Sequence, residues 1–182
     1  MVSVRRVRQQ KIRTPRQDKE KMKEVLLYIL NKVGAKPNVG ETVLHKLLYF
    51  IDFDYYEKYE ETLMGATYLR NHHGPTACEL RDILREMQEK KEIVAIKHKY
   101  FSYHQKKYLP LREPDLTKLS ARELEHIDEV LARLADKNAA EIERYSHGDI
   151  PWQVTPPGEH IPYETVFYRD ERYSVRDYDD EV

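Results

Sequence analysis

Cysteine and tryptophan each occur once in this 182-residue chain. A single thiol excludes a disulfide framework and a cysteine-rich zinc fold, and it suits a reducing compartment. No uncharged apolar stretch approaches the roughly 18 residues that a membrane span needs. The basic N-terminus lacks an apolar h-region, so no secretory signal is expected. Charge of one sign is not in excess either. With 31 basic and 32 acidic residues the net charge is −1, which exerts no global pull toward nucleic acid or anionic membrane. Internal repeats and low-complexity segments are absent. A soluble, cytoplasmic chain with one compact domain and short tails is the expectation.

Tyrosine, in contrast, is abundant: 14 residues against 4 phenylalanines. Its apolar ring and polar tip suit partly wet interfaces, or equally a small core whose aromatic positions reach the surface. Charge is segregated along the chain. Arg5, Arg6, Arg8, Lys11, Arg13 and Arg16 stand without an acid in residues 1–17, and Asp177, Asp179, Asp180 and Glu181 cluster at the other end. Both ends are expected to be solvated arms, the first of them disordered.

Between the ends, apolar spacing marks helices. Met22, Val25, Leu26, Ile29, Leu30 and Val33 form one stripe, with Asp18 as cap and Gly34 as stop. A second helix, Glu41 to Tyr59, is apolar nearly all round and is therefore expected at the centre of the fold. A short strand is expected at Ala66–Leu69. Pro75 suits the first turn of a third helix whose buried stripe is Leu80, Ile83, Leu84 and Met87. Ile93–Tyr100 and Tyr103–Leu109 alternate like two strands joined at Phe101-Ser102. Ser120 and Glu123 form a capping box for a fourth helix, and Asn138 and Glu141 open a fifth. Four prolines and two glycines between Gly148 and Pro162 are expected to preclude regular structure. The fold class expected is mainly α, about five to six helices with a small antiparallel β-hairpin after the third.

Catalytic patterns are sparse. The Gly34–Thr42 segment has five residues between its glycines and a glutamate where a phosphate-binding lysine belongs, so it is no phosphate loop. Cys78 follows His72 and His73, but no cysteine-nucleophile signature surrounds it, and a structural role is expected. The eight histidines include no HExxH and no i,i+4 pair; His45, His72, His73 and His147 would have to converge through the tertiary fold to bind a metal. Asp52 and Asp54 are too ordinary in a charged chain to signal acid–base chemistry. No enzyme, cofactor or metal is expected. Nucleic-acid binding is the alternative: the hairpin carries Lys97, His98, Lys99, His104, Lys106 and Lys107, and the third helix carries Arg81 and Arg85. The long second helix and the long connection after it argue against a winged helix-turn-helix.

The segment Leu44-His45-Lys46-Leu47-Leu48-Tyr49-Phe50, followed by Tyr68 and by His73-Gly74-Pro75 about 25 residues on, resembles the Panacea domain. This is the family of SocA-like antitoxins, formerly a phage-associated domain of unknown function. Ser146-His147 and Pro151-Trp152 resemble its C-terminal element. The resemblance implies an antitoxin that binds and neutralises a cognate toxin from a neighbouring gene, with delivery of the toxin to a protease as a variant. It implies a helical domain over residues 18–162, flanked by the arm (1–17) and a C-terminal segment with an acidic tail (163–182). His45 and the Asp52/Asp54 pair depart from the family pattern and leave the partner's identity open. Lys46, Tyr49 and Asp52 share one helical face. That face is expected to be either an exposed partner surface near Gly74 and Pro75, or a Lys–Asp surface pair flanking a packed tyrosine. Leu47, Leu48, Phe50, His147 and Trp152 are expected to be structural, with Trp152 either a lid over the core or an exposed anchor.

Overall fold

The computed structural model describes residues 18–179. The basic arm, and Asp180 and Glu181 of the acidic tail, lie outside the described residues. Helix α1 (Lys19–Val33) begins where Asp18 accepts the Lys21 N–H at 3.0 Å, and it closes at Gly34. All six residues of its expected stripe are buried. A second face is also covered, because Glu24 accepts two hydrogen bonds from Arg112 and one from the Asp115 N–H.

Helix α2 (Glu41–Tyr59) runs through the middle and contacts elements on several sides, which is what its apolar circumference requires. Its polar residues are buried too: His45, Lys46, Asp52, Asp54 and Glu57. The helix ends at Glu60, whose left-handed backbone (φ 54°) turns the chain away.

The segment after α2 differs from expectation. Strands β1 (Tyr68–Asn71) and β2 (Gly74–Ala77) form an antiparallel hairpin with Asn71 opposite Gly74. Gly74 and Pro75 therefore begin a strand, not a helix. The physical reason is Gly74's φ of +99°, which closes the tight turn at His72-His73 and places Pro75 in extended backbone. Helix α3 (Leu80–Glu89) starts five residues later than Pro75, and its stripe of Leu80, Ile83, Leu84 and Met87 is buried as expected.

The second hairpin, β3 (Ile93–Tyr100) with β4 (Tyr103–Pro110), has the expected strands and turn. Its base is anchored by buried Ile93 and Tyr108, and by Lys107, whose ammonium donates to the carbonyls of Lys36 (2.6 Å) and Val39 (3.0 Å). Its tip, around Phe101, is exposed. A single 3-10 turn (Leu116–Lys118) leads to α4 (Ala121–Leu134), which opens with the Ser120/Glu123 capping box. Helix α5 (Ala139–His147) is capped by Asn138.

The proline-rich stretch is not irregular throughout. Helix α6 (Ile150–Val154) forms within it because Pro151 occupies the first turn, where a missing N–H costs nothing. A 3-10 segment (Tyr163–Tyr168) then lays Tyr163 and Val166 against α2. Six α-helices among the described residues make the fold mainly α, with two small antiparallel hairpins in place of one. None of the described helices is long and apolar enough to cross a membrane.

Candidate functional site

The face that carries Lys46, Tyr49 and Asp52 points inward. Tyr49 and Asp52 are both 0% exposed and Lys46 only 3%. The expected exposed face is corrected accordingly, and so is the Lys–Asp surface pair. Tyr49 donates to Asp149 Oδ2 at 2.8 Å, and its ring lies 4.4 Å from that of Phe53 and 4.9 Å from that of Phe50. Asp52 accepts the N–H groups of Met64 (2.8 Å), Gly65 (3.3 Å) and Ala66 (3.2 Å), and the Tyr68 hydroxyl approaches it at 2.8 Å. Burial pushes its pKa up to about 6 against those donors. This carboxylate holds the loop that leads into β1.

Lower on α2 lies a charged set that only the tertiary fold assembles. Arg169, with its side chain 0% exposed, donates to Asp54 (2.7 Å), Glu57 (3.0 Å) and both oxygens of Asp149 (2.9 and 2.7 Å). Arg133 also reaches Asp54. Burial alone would lower the arginine's pKa, but the charges of Asp54 and Asp149 hold it well above its ordinary value. Burial raises Asp149 while Arg169 opposes it. Nothing in the sequence distinguishes Arg169 or Asp149 from the other charges of a highly charged chain. Leu47, Leu48 and Phe50 are core. Trp152 is half-buried against the core edge: its ring stacks on His147 at 4.3 Å, the Arg70 guanidinium lies 4.1 Å from its centre, and its N–H donates to the Asn71 carbonyl.

Lys46 and Gly74 do come together, beside a groove of about 670 Å³ that Lys46 lines between the start of α2, the His72-His73 turn, α5 and strand β4. A Cβ at position 74 would stand 2.5 Å from Ser146 Oγ and 2.9 Å from Lys46 Cε, so the glycine lets the strand close over the lysine stem. Lys46 nevertheless lines the groove, and its ammonium makes no hydrogen bond or salt bridge with any described residue. Burial lowers its pKa to about 8, opposed by Glu143. Glu143 itself is held by His73 at 2.9 Å. Beside the lysine, His45 Nδ1 accepts the Ala77 N–H at 3.1 Å, and burial takes its pKa down to about 4, so the ring is neutral at pH 7. Pro75 is buried and does not line the groove.

Other expected chemistry is dispersed. Cys78 is exposed in the turn before α3, and partial burial together with Glu79 raises its pKa, the reverse of an activated nucleophile. Among the described residues no group of three or more His, Cys, Asp or Glu side chains could hold a metal ion. Lys97, Lys99 and Lys106 stay exposed on the second hairpin, while Lys107 is withdrawn into the fold.

Residues 44–153 match a family model described as antitoxin SocA-like, Panacea domain. The match covers 110 residues, more than half of the chain, from the first turns of α2 through α6. It includes Lys46, His73 and Glu143 of the groove. No curated protein matches the chain.

Proposed function

The chain belongs to the SocA-like antitoxin family with a Panacea domain, and from that membership we propose that it neutralises a toxin, encoded by a neighbouring gene, by binding it directly in the cytoplasm. It acts by binding and not by catalysis. The observation that carries this reading is the family match over residues 44–153. Most of the groove's lining, including Lys46, His73 and Glu143, falls within the matched region, which supports the groove as the place of contact. A groove of this volume accepts one or two protruding side chains of a partner. Direct sequestration is preferred to delivery to a protease, because a groove with a fixed cation supplies a binding determinant by itself.

The experiment is co-expression of the full chain with the small toxic product of an adjacent reading frame. Growth rescue, co-purification of the two proteins and an unchanged toxin lifetime are expected. Rescue with a shortened toxin lifetime would replace sequestration by delivery to a protease. Absence of both rescue and co-purification rejects the antitoxin reading.

A further inference from the structure

The antitoxin reading leaves open what the groove recognises, and its charges are specific on that point. Lys46, Arg81 and Lys106 face Glu41 and Glu143 across it. The two acids already have partners: Glu143 is bound by His73, and Glu41 lies 3.8 Å from Arg81 and 3.0 Å from the Tyr108 hydroxyl. Leaving the imidazoles aside, one positive charge is in excess. Lys46 and Lys106 both lack a hydrogen bond or salt bridge with a described residue, but Lys106 is exposed and lies over the Tyr108 ring, whereas Lys46 is buried at the floor. The lysine stem is buried while its ammonium opens on the groove, where burial disfavours the charged form, and an incoming anionic acceptor would offset that penalty. The lysine cannot easily swing away, because the backbone at Gly74 closes over its Cε.

We propose that the groove receives one side-chain carboxylate, an aspartate or glutamate of the bound protein, which pairs with Lys46. This rests on the antitoxin reading for the identity of the partner as a protein, but not for the chemistry of the site. A monoanion balances the single excess charge, whereas a phosphate would bring close to two negative charges beside Glu41 and Glu143. The groove is an open trough bounded by a strand, a turn and a helix, so a polypeptide can continue past the acid on either side. That favours an internal acidic side chain over a chain terminus.

Two measurements on the full chain test this. In the first, the Lys46 side-chain resonance is followed by NMR at pH 8, identified by its absence in Lys46→Met. N-acetyl-glutamate amide supplies a side-chain carboxylate, N-acetyl-glycylglycine a terminal one and N-acetyl-glutamine amide neither. The glutamate derivative alone is expected to shift the resonance toward the charged ammonium. No shift, or an equal shift with the glutamine derivative, overturns the site. A shift with the terminal carboxylate alone overturns the side-chain source. In the second measurement, Lys46→Met is expected to weaken toxin binding tenfold or more while melting at or above the wild-type temperature, since a buried cation has been replaced by an apolar chain of similar length. Equal binding by Lys46→Met overturns the proposal while the antitoxin reading stands. Failure of the wild-type protein to rescue growth rejects the antitoxin reading, and the NMR titration still decides the site.

Discussion

Replacing Arg169 by methionine removes a guanidinium that touches Glu57 and Asp149 at once. The side chains of both acids are 0% exposed, and that of Asp54 is 2% exposed. Asp54 keeps Arg133, Asp149 keeps the Tyr49 hydroxyl, and Glu57 keeps the Ser174 hydroxyl and the Val175 N–H. Two buried carboxylates thus lose their charge partner but retain neutral donors. Breaking one buried ion pair typically costs about 3–5 kcal/mol, and the four hydrogen bonds lost here place Arg169→Met near the upper end of that range. With a urea m-value of about 2 kcal/mol/M for a domain of this size, the midpoint should fall by roughly 2 M. Acid should narrow the gap. Without the guanidinium, Arg169 no longer opposes the upward push of burial on Asp149, so the variant gains stability relative to wild type as pH falls from 7.5 to 5. Arg169→Lys retains the charge but not the planar fork and should fall between the two. Equilibrium urea unfolding followed by circular dichroism at both pH values reads all of this. A loss under about 1 kcal/mol, or a gap that does not change with pH, would refute the account of the network as a load shared through one guanidinium.

Burial shifts His45 in the opposite direction from Asp149. Its folded pKa of about 4 lies below the ordinary 6.5, so its contribution is complete above 6.5 and is lost as pH falls toward 4. His45→Gln, which keeps an acceptor for the Ala77 N–H, should lose about 3 kcal/mol less than wild type on acidification from pH 7 to 4, read by urea titrations at each pH. Asp52, raised to about 6, works against His45 in the same range and is common to both proteins, so the difference isolates the imidazole. On the opposite flank of α2, Leu47→Ala should cost about 2–5 kcal/mol through a cavity. Tyr49→Phe should cost about 1–3 kcal/mol by leaving Asp149 short of a donor. Thermal melts separate both changes from any effect on toxin binding.

The parts of the fold written in local periodicity and capping were legible in the sequence. The stripe of α1, the circumference of α2, the capping box of α4 and the second hairpin each follow from neighbours within a turn or a strand pair. The first hairpin was not legible, because Gly74-Pro75 reads equally as a helix start and as a turn exit. Only its pairing with Tyr68–Asn71 decides between them. The candidate site was half legible. Lys46 and Gly74 meet beside the groove, but the spacing that put Lys46, Tyr49 and Asp52 on one face could not say which way the face points. A tyrosine and an aspartate look like surface residues until Asp149 and the 64–66 backbone arrive to satisfy them. Those partners lie 100 residues and 12 to 14 residues away.

The same stripe of α2 thus meets two environments, and the covering elements decide which. At its N-terminal end, β2 and α5 leave a trough, and Lys46 is buried but still reachable. Toward its C-terminal end, α6 and the 3-10 segment close over Tyr49, Asp54 and Glu57, and the closing cation is Arg169. The family match ends at residue 153, sixteen residues before that arginine. The segment that follows the match is therefore tied to the matched helix by charge as well as by Tyr163 and Val166. Lifting it to present its residues elsewhere would expose two carboxylates and strand them from their guanidinium. That cost opposes release of residues 163–178 as a free arm.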